Sequence, residues 1–264
     1  MKPETAVLHV ADIHIGKRTK SFNVAIAKER VKLVGQRVAH VIKRDFAGRE
    51  LDKLVVLDSG DGCEGEAIYK TQLHHLDPDA MTGMRQSALY AEIMGDMLLQ
   101  MQEDTGLPVE FHGVPGNHGR VNSFTDEANN WDVLAYQMLQ MRREVKVDYS
   151  SEFYKVIGIQ GWGHLLYHGK GIKSYGGIPW YGISQRAMRW QGSIPDGWEY
   201  LHVGHFHSYG HTWWPGFEMM LSGTCVTDDD FSLEMVGSDG VNRWRLFGVH
   251  PEHGVTWQYP IRTA

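Results

Sequence analysis

A chain of 264 residues, 42% of them hydrophobic, can bury one sizeable core. Its net charge of −6 excludes a uniformly basic surface, so any polyanion binding has to be local. Two cysteines, Cys63 and Cys225, cannot build a disulfide framework, and no apolar run approaches the roughly 20 residues that span a bilayer, so a cytoplasmic setting without a membrane partner is expected. The opening Met1-Lys2-Pro3-Glu4-Thr5 shows no secretory apolar region.

In chain order, Ala6 to Val10 reads as a short buried strand. Ala27, Val31, Val34, Val38, Val41 and Ile42 step by three and four, the spacing of a helix with one core face, and Ser21 or Asn23 could cap it. Leu54 to Leu57 is apolar throughout and too short for a helix, so a strand covered on both faces is expected. Met84 to Met101 is helical by pattern, its methionine stripe reading as adaptable core packing. Val109 to Val114 is a third strand, and Trp131, Leu134, Ala135 and Met138 mark another helix. This alternation predicts parallel strands with functional loops beyond their carboxyl ends.

The second half reads as short strands between glycine-rich turns: Tyr154 to Ile157, His164 to Tyr167, Tyr200 to Val203, Met219 to Leu221, Phe231 to Val236, Arg243 to Val249 and Val255 to Ile261. The last two form a terminal hairpin, and one helix is expected around Ser184 to Trp190. No repeat or linker divides the chain. One domain over 1–264 is expected, with a mainly helical elaboration at about 65–108.

Fifteen histidines is a high count for this length, and they are scattered. Several close strand ends, in the blocks Asp12-Ile13-His14, Gly60-Asp61, Gly116-Asn117-His118, His168-Gly169 and Gly204-His205-Phe206-His207. Two imidazoles on alternate residues can share one face. Asp12, His14, Asp61, Asn117, His168, His205 and His207 are too many ligands for one ion. They suit two divalent ions sharing a carboxylate, the apparatus for displacement at phosphorus.

These five blocks, in this order, resemble the signature of the calcineurin-like metallophosphoesterase superfamily, over about residues 7–207. The resemblance implies an α/β fold, a four-layer αββα sandwich with two mixed β-sheets. It implies that Asp12, His14 and His207 hold one ion, that Asn117, His168 and His205 hold the second, and that Asp61 bridges them. His118 would assist the leaving group as a metal-bridging hydroxide attacks. Manganese is the favoured ion, with iron, zinc and magnesium as alternatives.

The sequence departs from the family in two places. Gly119 stands where an acid is common after the Gly-Asn-His block. Glu64 stands where a second aspartate is common after Gly-Asp, and it is expected to hydrogen-bond His118 and hold its tautomer. Arg120 could grip a phosphoryl oxygen or be a solvated loop arginine. Lys17, Arg18, Lys20, Arg120, Lys170 and Lys173 follow the ligand blocks and would rim one cavity. Trp180, Tyr181, Trp213 and Trp214, read as loop residues, could stack bases or pack the second sheet.

Other histidines and acids have plainer readings. His9, His112 and His202 read as core histidines, and His164 competes with His168 for the fourth block, losing because His168 closes the strand. His211 could reach the rim. Asp58 reads as a strand-end turn residue, Cys63 as a small core side chain and Asp228-Asp229-Asp230 as a solvated turn.

Among branches, the chain resembles SbcD-type DNA repair nucleases and small phage-encoded relatives. That implies a DNA-cleaving phosphodiesterase. The alternatives are a phosphatase or phosphodiesterase for a small nucleotide or phosphoprotein and, from another class, a non-catalytic scaffold. With the chain ending at residue 264, no C-terminal DNA-capping domain is expected. The 65–108 stretch is long enough for a lid, a clamp or a homodimer surface.

Overall fold

The computed structural model describes residues 2–264 apart from 48, 49, 67, 71, 174–178 and 230–239. Its first sheet is built from β1 (Glu4–Val10), β2 (Leu51–Asp58), β3 (Val109–Gly113), β4 (Lys146–Tyr149), β10 (Arg243–His250) and β11 (Gly254–Arg262). The order is β11-β10-β1-β2-β3-β4. β1 to β4 run parallel, while β10 and β11 form an antiparallel hairpin against β1. The second sheet takes β5 (Tyr154–Ile159), β6 (Trp162–Tyr167), β7 (Tyr200–Val203), β8 (Gly210–Trp214) and β9 (Phe217–Leu221), in the order β5-β6-β7-β9-β8. Here β6, β7 and β9 are parallel and the two edge strands antiparallel.

Side-chain alternation sets the layers. In β1, Ala6, Leu8 and Val10 face the helices α1 (Val24–Asp45), α2 (Gly83–Thr105) and α3 (Trp131–Arg142), while Val7 faces the second sheet. In β2, Leu54 and Val56 turn to the helices and Val55 and Leu57 to the second sheet, which is why that run is apolar on both faces. The far face of the second sheet, with Leu165, Leu201 and Met219, packs on Ile183 and Ala187 of α4 (Trp180–Gln191). The result is the four-layer αββα arrangement that the family resemblance implies.

Several local expectations resolve. Asn23, not Ser21, caps α1, its Oδ1 accepting from Ile26 N at 2.9 Å. α2 begins at Thr82, which caps it, and joins the helical layer through Met94, Met97, Leu98 and Met101. β4 and β8 are strands that periodicity did not mark. Trp213 and Trp214 belong to β8, and Trp180 and Tyr181 to the first turn of α4, so none of the four is a loop residue. The expected strand Phe231 to Val236 lies outside the described residues.

Candidate metal centre

The parallel strands β1, β2, β3, β6 and β7 end on the same side of the molecule, and each delivers one ligand block. Three groups of donors form there, Asp12 with His14 and His207, Asp61 with His168 and His205, and His14 with Asp61 and His118. Asp61 belongs to two of them. Asn117 completes the second group, its Oδ1 2.9 Å from His168 Nε2.

The backbone at these positions is unusual. Eight described residues other than glycine have positive φ, and five of them are Asp12, His14, Asp61, His205 and His207. Left-handed backbone costs a side-chain-bearing residue free energy, and such strain gathers at functional sites. Two glycines let the loops close on one another. Gly60 has φ of +88°, and a Cβ there would overlap the backbone of Gly116. A Cβ at Gly116 would overlap the Asp61 carboxylate.

The hydrogen bonds crowd potential ligand atoms against one another. His14 Nδ1 donates to Glu64 Oε2 at 2.7 Å, so its Nε2 carries a lone pair in the neutral ring, 3.1 Å from His207 Nε2. Asp12 Oδ2 accepts from His205 N at 2.8 Å, while its buried Oδ1 has no hydrogen-bond partner and lies 3.4 Å from His207 Nε2. His168 Nδ1 donates to the Ser59 carbonyl at 2.8 Å. Its Nε2 then meets Asn117 Oδ1 and, at 3.0 Å, Asp61 Oδ2, both acceptors. Without a cation that nitrogen needs a proton. Burial lowers the His168 pKa, but the Asp61 carboxylate outweighs burial and it stands at about 9. A divalent cation satisfies the same lone pairs without the proton, so this donor set fits metal.

The electrostatics of the remaining groups follow from their neighbours. Burial works against the Asp61 carboxylate, yet His168 and His118 hold its pKa well below the usual range. Burial also opposes protonation of His118, but Glu64 and Asp61 outweigh it and raise the pKa. His205 is pushed down to about 3 by burial and then by His168, which leaves a neutral imidazole able to ligate.

Glu64 differs from its expectation. Its close partner is His14, whereas His118 Nδ1 lies 3.3 Å from Glu64 Oε2, off the direction that would make a hydrogen bond. His118 instead donates its backbone N–H to Asp61 Oδ1 at 2.8 Å, and its ring sits 4.8 Å from that of Tyr69.

The expected basic rim is thinner than the sequence implies. Lys17 is buried and paired with Asp229 at 2.8 Å. Lys170 pairs with Glu127 at 2.6 Å, and Arg120 Nε donates to the Asn117 carbonyl at 3.2 Å. Arg18, Lys20 and Lys173 are exposed. His211 is held by Glu218 at 2.8 Å and by Gln258 at 2.9 Å, away from the cluster. His164 pairs with His202 at 2.9 Å between the sheets, not at the site. Asp229 is no solvated turn residue, since it is buried against Lys17, and Asp230 lies outside the described residues.

Two supporting residues gave no signal in the sequence. Asp132, at the start of α3, accepts from Asp61 N at 3.0 Å, Cys63 N at 2.8 Å and Gly116 N at 2.9 Å. It ties the second and third ligand loops together. Tyr69 accepts from Asn117 Nδ2 at 2.8 Å, which turns Asn117 Oδ1 toward His168. Asp132 follows the Asn130 cap in the first turn of α3, and nothing local points it at Asp61, 71 residues back.

No protein-family model matches the chain, and no curated protein matches it. Among solved structures it is similar to Vps29 from Entamoeba histolytica complexed with zinc, at 14% identity and TM-score 0.45, covering 98% of this chain and 100% of that one. It is also similar to a predicted phosphoesterase from Streptococcus pneumoniae, at 10% identity and TM-score 0.39, covering 98% and 99%. A third is an archaeal phosphodiesterase, at 8% identity and TM-score 0.46, covering 97% and 99%. These likenesses are too weak to carry an assignment of function. By its layers, the chain is an α/β four-layer αββα sandwich with two mixed β-sheets.

Proposed function

We propose that this chain is a two-metal phosphodiesterase and that DNA is its substrate. The observation that carries the first part is the convergence of ligand atoms at the strand ends: His14 Nε2 3.1 Å from His207 Nε2, Asp12 Oδ1 with no hydrogen-bond partner, and His168 Nε2 against Asp61 Oδ2 and Asn117 Oδ1. Asp12, His14 and His207 would hold one divalent ion and Asn117, His168 and His205 the other, with Asp61 shared. When bound, such ions polarise phosphoryl oxygens and supply a nucleophile near neutral pH, with manganese ahead of iron, zinc or magnesium for mixed nitrogen and oxygen ligands.

The protein's own groups do the rest. His118, with Glu64 beside its ring and its backbone N–H on Asp61, would hold the proton for the leaving oxygen. Its Nδ1 side faces Glu64, which leaves Nε2 for the substrate. Arg120 spends Nε on a carbonyl and keeps its terminal nitrogens for a phosphoryl oxygen. The DNA reading rests on the SbcD-type resemblance and on Arg18, Lys20 and Lys173, exposed on loops that follow the first and fourth blocks. The completeness of the ligand set, together with His118, speaks against a scaffold.

The test is one panel. Purified protein with Mn²⁺, Mg²⁺, Zn²⁺ or no metal receives single- and double-stranded DNA, bis- and mono-nitrophenyl phosphate and cyclic nucleotides. Metal-dependent cleavage of the bis-ester and of DNA is expected. Asp61→Ala should lose on the order of 100-fold or more, since even a partner of a ligand costs 10–100-fold. Cleavage of the monoester alone would exclude the diesterase. Diester turnover without DNA cleavage would exclude DNA.

A further inference from the structure

Beside the metal cluster, on the His168 side, lies a cavity of about 330 Å³. Two of its lining residues belong to the cluster's own framework. His168 is a ligand candidate, and Gly116 abuts the Asp61 carboxylate. The cavity therefore borders the cluster along His168 and Gly116.

The walls are aromatic. Tyr167, at the end of β6, meets Trp190 of α4 edge-on, with centroids 4.8 Å apart at 80°. Phe153, just before β5, lies 6.1 Å from Trp190 at 37° and is 41% exposed. Phe153, exposed, and Trp190, half-buried, both line this space, with Tyr167 and Arg186 packed on the Trp190 ring.

The polar groups are fixed. Arg186, one turn before Trp190, donates to the Gly171 carbonyl at 3.0 Å and to Tyr167 Oη at 3.1 Å. Its guanidinium carbon stands 5.8 Å from the Trp190 ring centroid. Lys170 and Glu127 close a salt bridge that joins the loops after β6 and β3. An acyl chain would meet these charges. A flat heterocycle with polar edges meets π-faces and fixed charges together, and one nucleoside matches the volume.

We propose that this cavity is a nucleobase subsite, which seats the base next to the phosphate that the metal cluster holds. The proposal rests on the phosphodiesterase reading for the position of that phosphate. Specificity would then be for a nucleotide unit, stacked with little base preference, since every base has a π-face.

The test is calorimetric binding to the manganese-loaded full chain. The probes are deoxyadenosine 5′-monophosphate and thymidine 5′-monophosphate, with 2-deoxyribose 5-phosphate as the control that lacks a base. Both nucleotides should bind about tenfold or more tighter than the sugar phosphate, the range of one stacked base. Phe153→Ala and Trp190→Ala should each bring that ratio toward unity, and Trp190→Phe should restore most of it. Phe153 is exposed, so its variant keeps the test open if Trp190→Ala does not fold. Equal affinities for nucleotide and sugar phosphate, or a ratio unmoved in both alanine variants, would overturn the subsite. Turnover of bis-nitrophenyl phosphate on the same samples separates the two readings. Turnover without base discrimination removes the subsite alone, whereas base discrimination without any diester turnover keeps the subsite and removes the phosphodiesterase.

Discussion

Glu64 changes role between sequence and structure, and the change has a consequence that can be measured. Its carboxylate receives the Nδ1 proton of His14 and so fixes which nitrogen of His14 faces the cluster. We expect Glu64→Gln to weaken the ion held by Asp12, His14 and His207 by about 10–100-fold, read by metal titration, because the amide can present its N–H₂ to His14 and reverse the tautomer. If the variant keeps both affinities and loses only the leaving-group step, Glu64 acts through His118 instead. The two histidines after β7 should separate in the same way. His205→Ala should empty the position shared with His168, and His207→Ala the position shared with Asp12 and His14, as counted by metal analysis of the purified variants. Two ions at full occupancy in both variants would defeat the assignment.

At the scale of elements, the site depends on loops that cannot hold their own shape. Five candidate ligands sit at positive φ, a conformation their own sequence does not favour. Asp132 supplies part of the missing restraint from outside, taking three backbone N–H groups of two loops on one buried carboxylate. Burial, and then the charge of Asp61, raises its pKa to about 6, yet the three donors need an acceptor on both oxygens. Asp132→Asn keeps one oxygen only. We expect it to cost about 3 kcal/mol in urea unfolding, because at least one buried N–H then faces a donor. A loss under about 0.5 kcal/mol would mean that the loops hold without it. The segment before α2 contributes similarly, since Tyr69 orients Asn117. Tyr69→Phe should lower the affinity for the ion on the Asn117 side about tenfold with little change in stability, and an unchanged titration would show that Asn117 needs no help.

For the whole molecule, the contact between the two sheets carries an acid-sensitive element. His9, His164 and His202 are buried there, among Val7, Phe247 and Val249. Burial lowers the pKa of His9 and of His164 to about 3, Arg245 adding to the effect at His9, and burial holds His202 well below its usual value. A depressed histidine contributes stability above the unfolded-state pKa, near 6.5, and loses it as pH falls toward the folded value. Each such group removes about 1.4 kcal/mol per pH unit below that point. The stability gap between wild type and His164→Gln should therefore shrink by about 2 kcal/mol between pH 6.5 and 5, in urea titrations of metal-free protein. A gap that stays constant with pH would show that His164 takes no part.

Much of this protein was written locally. Asp12-x-His14, Gly60-Asp61, Gly116-Asn117-His118, His168 and Gly204-His205-x-His207 each combine a strand end with its ligands in a few adjacent residues. Both could be read together because alternation and strand length are short-range properties. Local pattern likewise marked β2 as apolar on both faces and α1 on one, while the four layers came from the family resemblance. What tertiary structure alone decided lies across long separations. Asp132 reaches Asp61, 71 residues away, Tyr69 reaches Asn117 across 48, and Lys17 leaves the expected rim for Asp229, 212 residues on. Glu64 chose His14 over His118 although both imidazoles arrive beside one carboxylate oxygen, His14 at 2.7 Å and His118 at 3.3 Å. Side-chain chemistry marks which residues can bind a cation. Which partner each one takes depends on distances that no local pattern encodes.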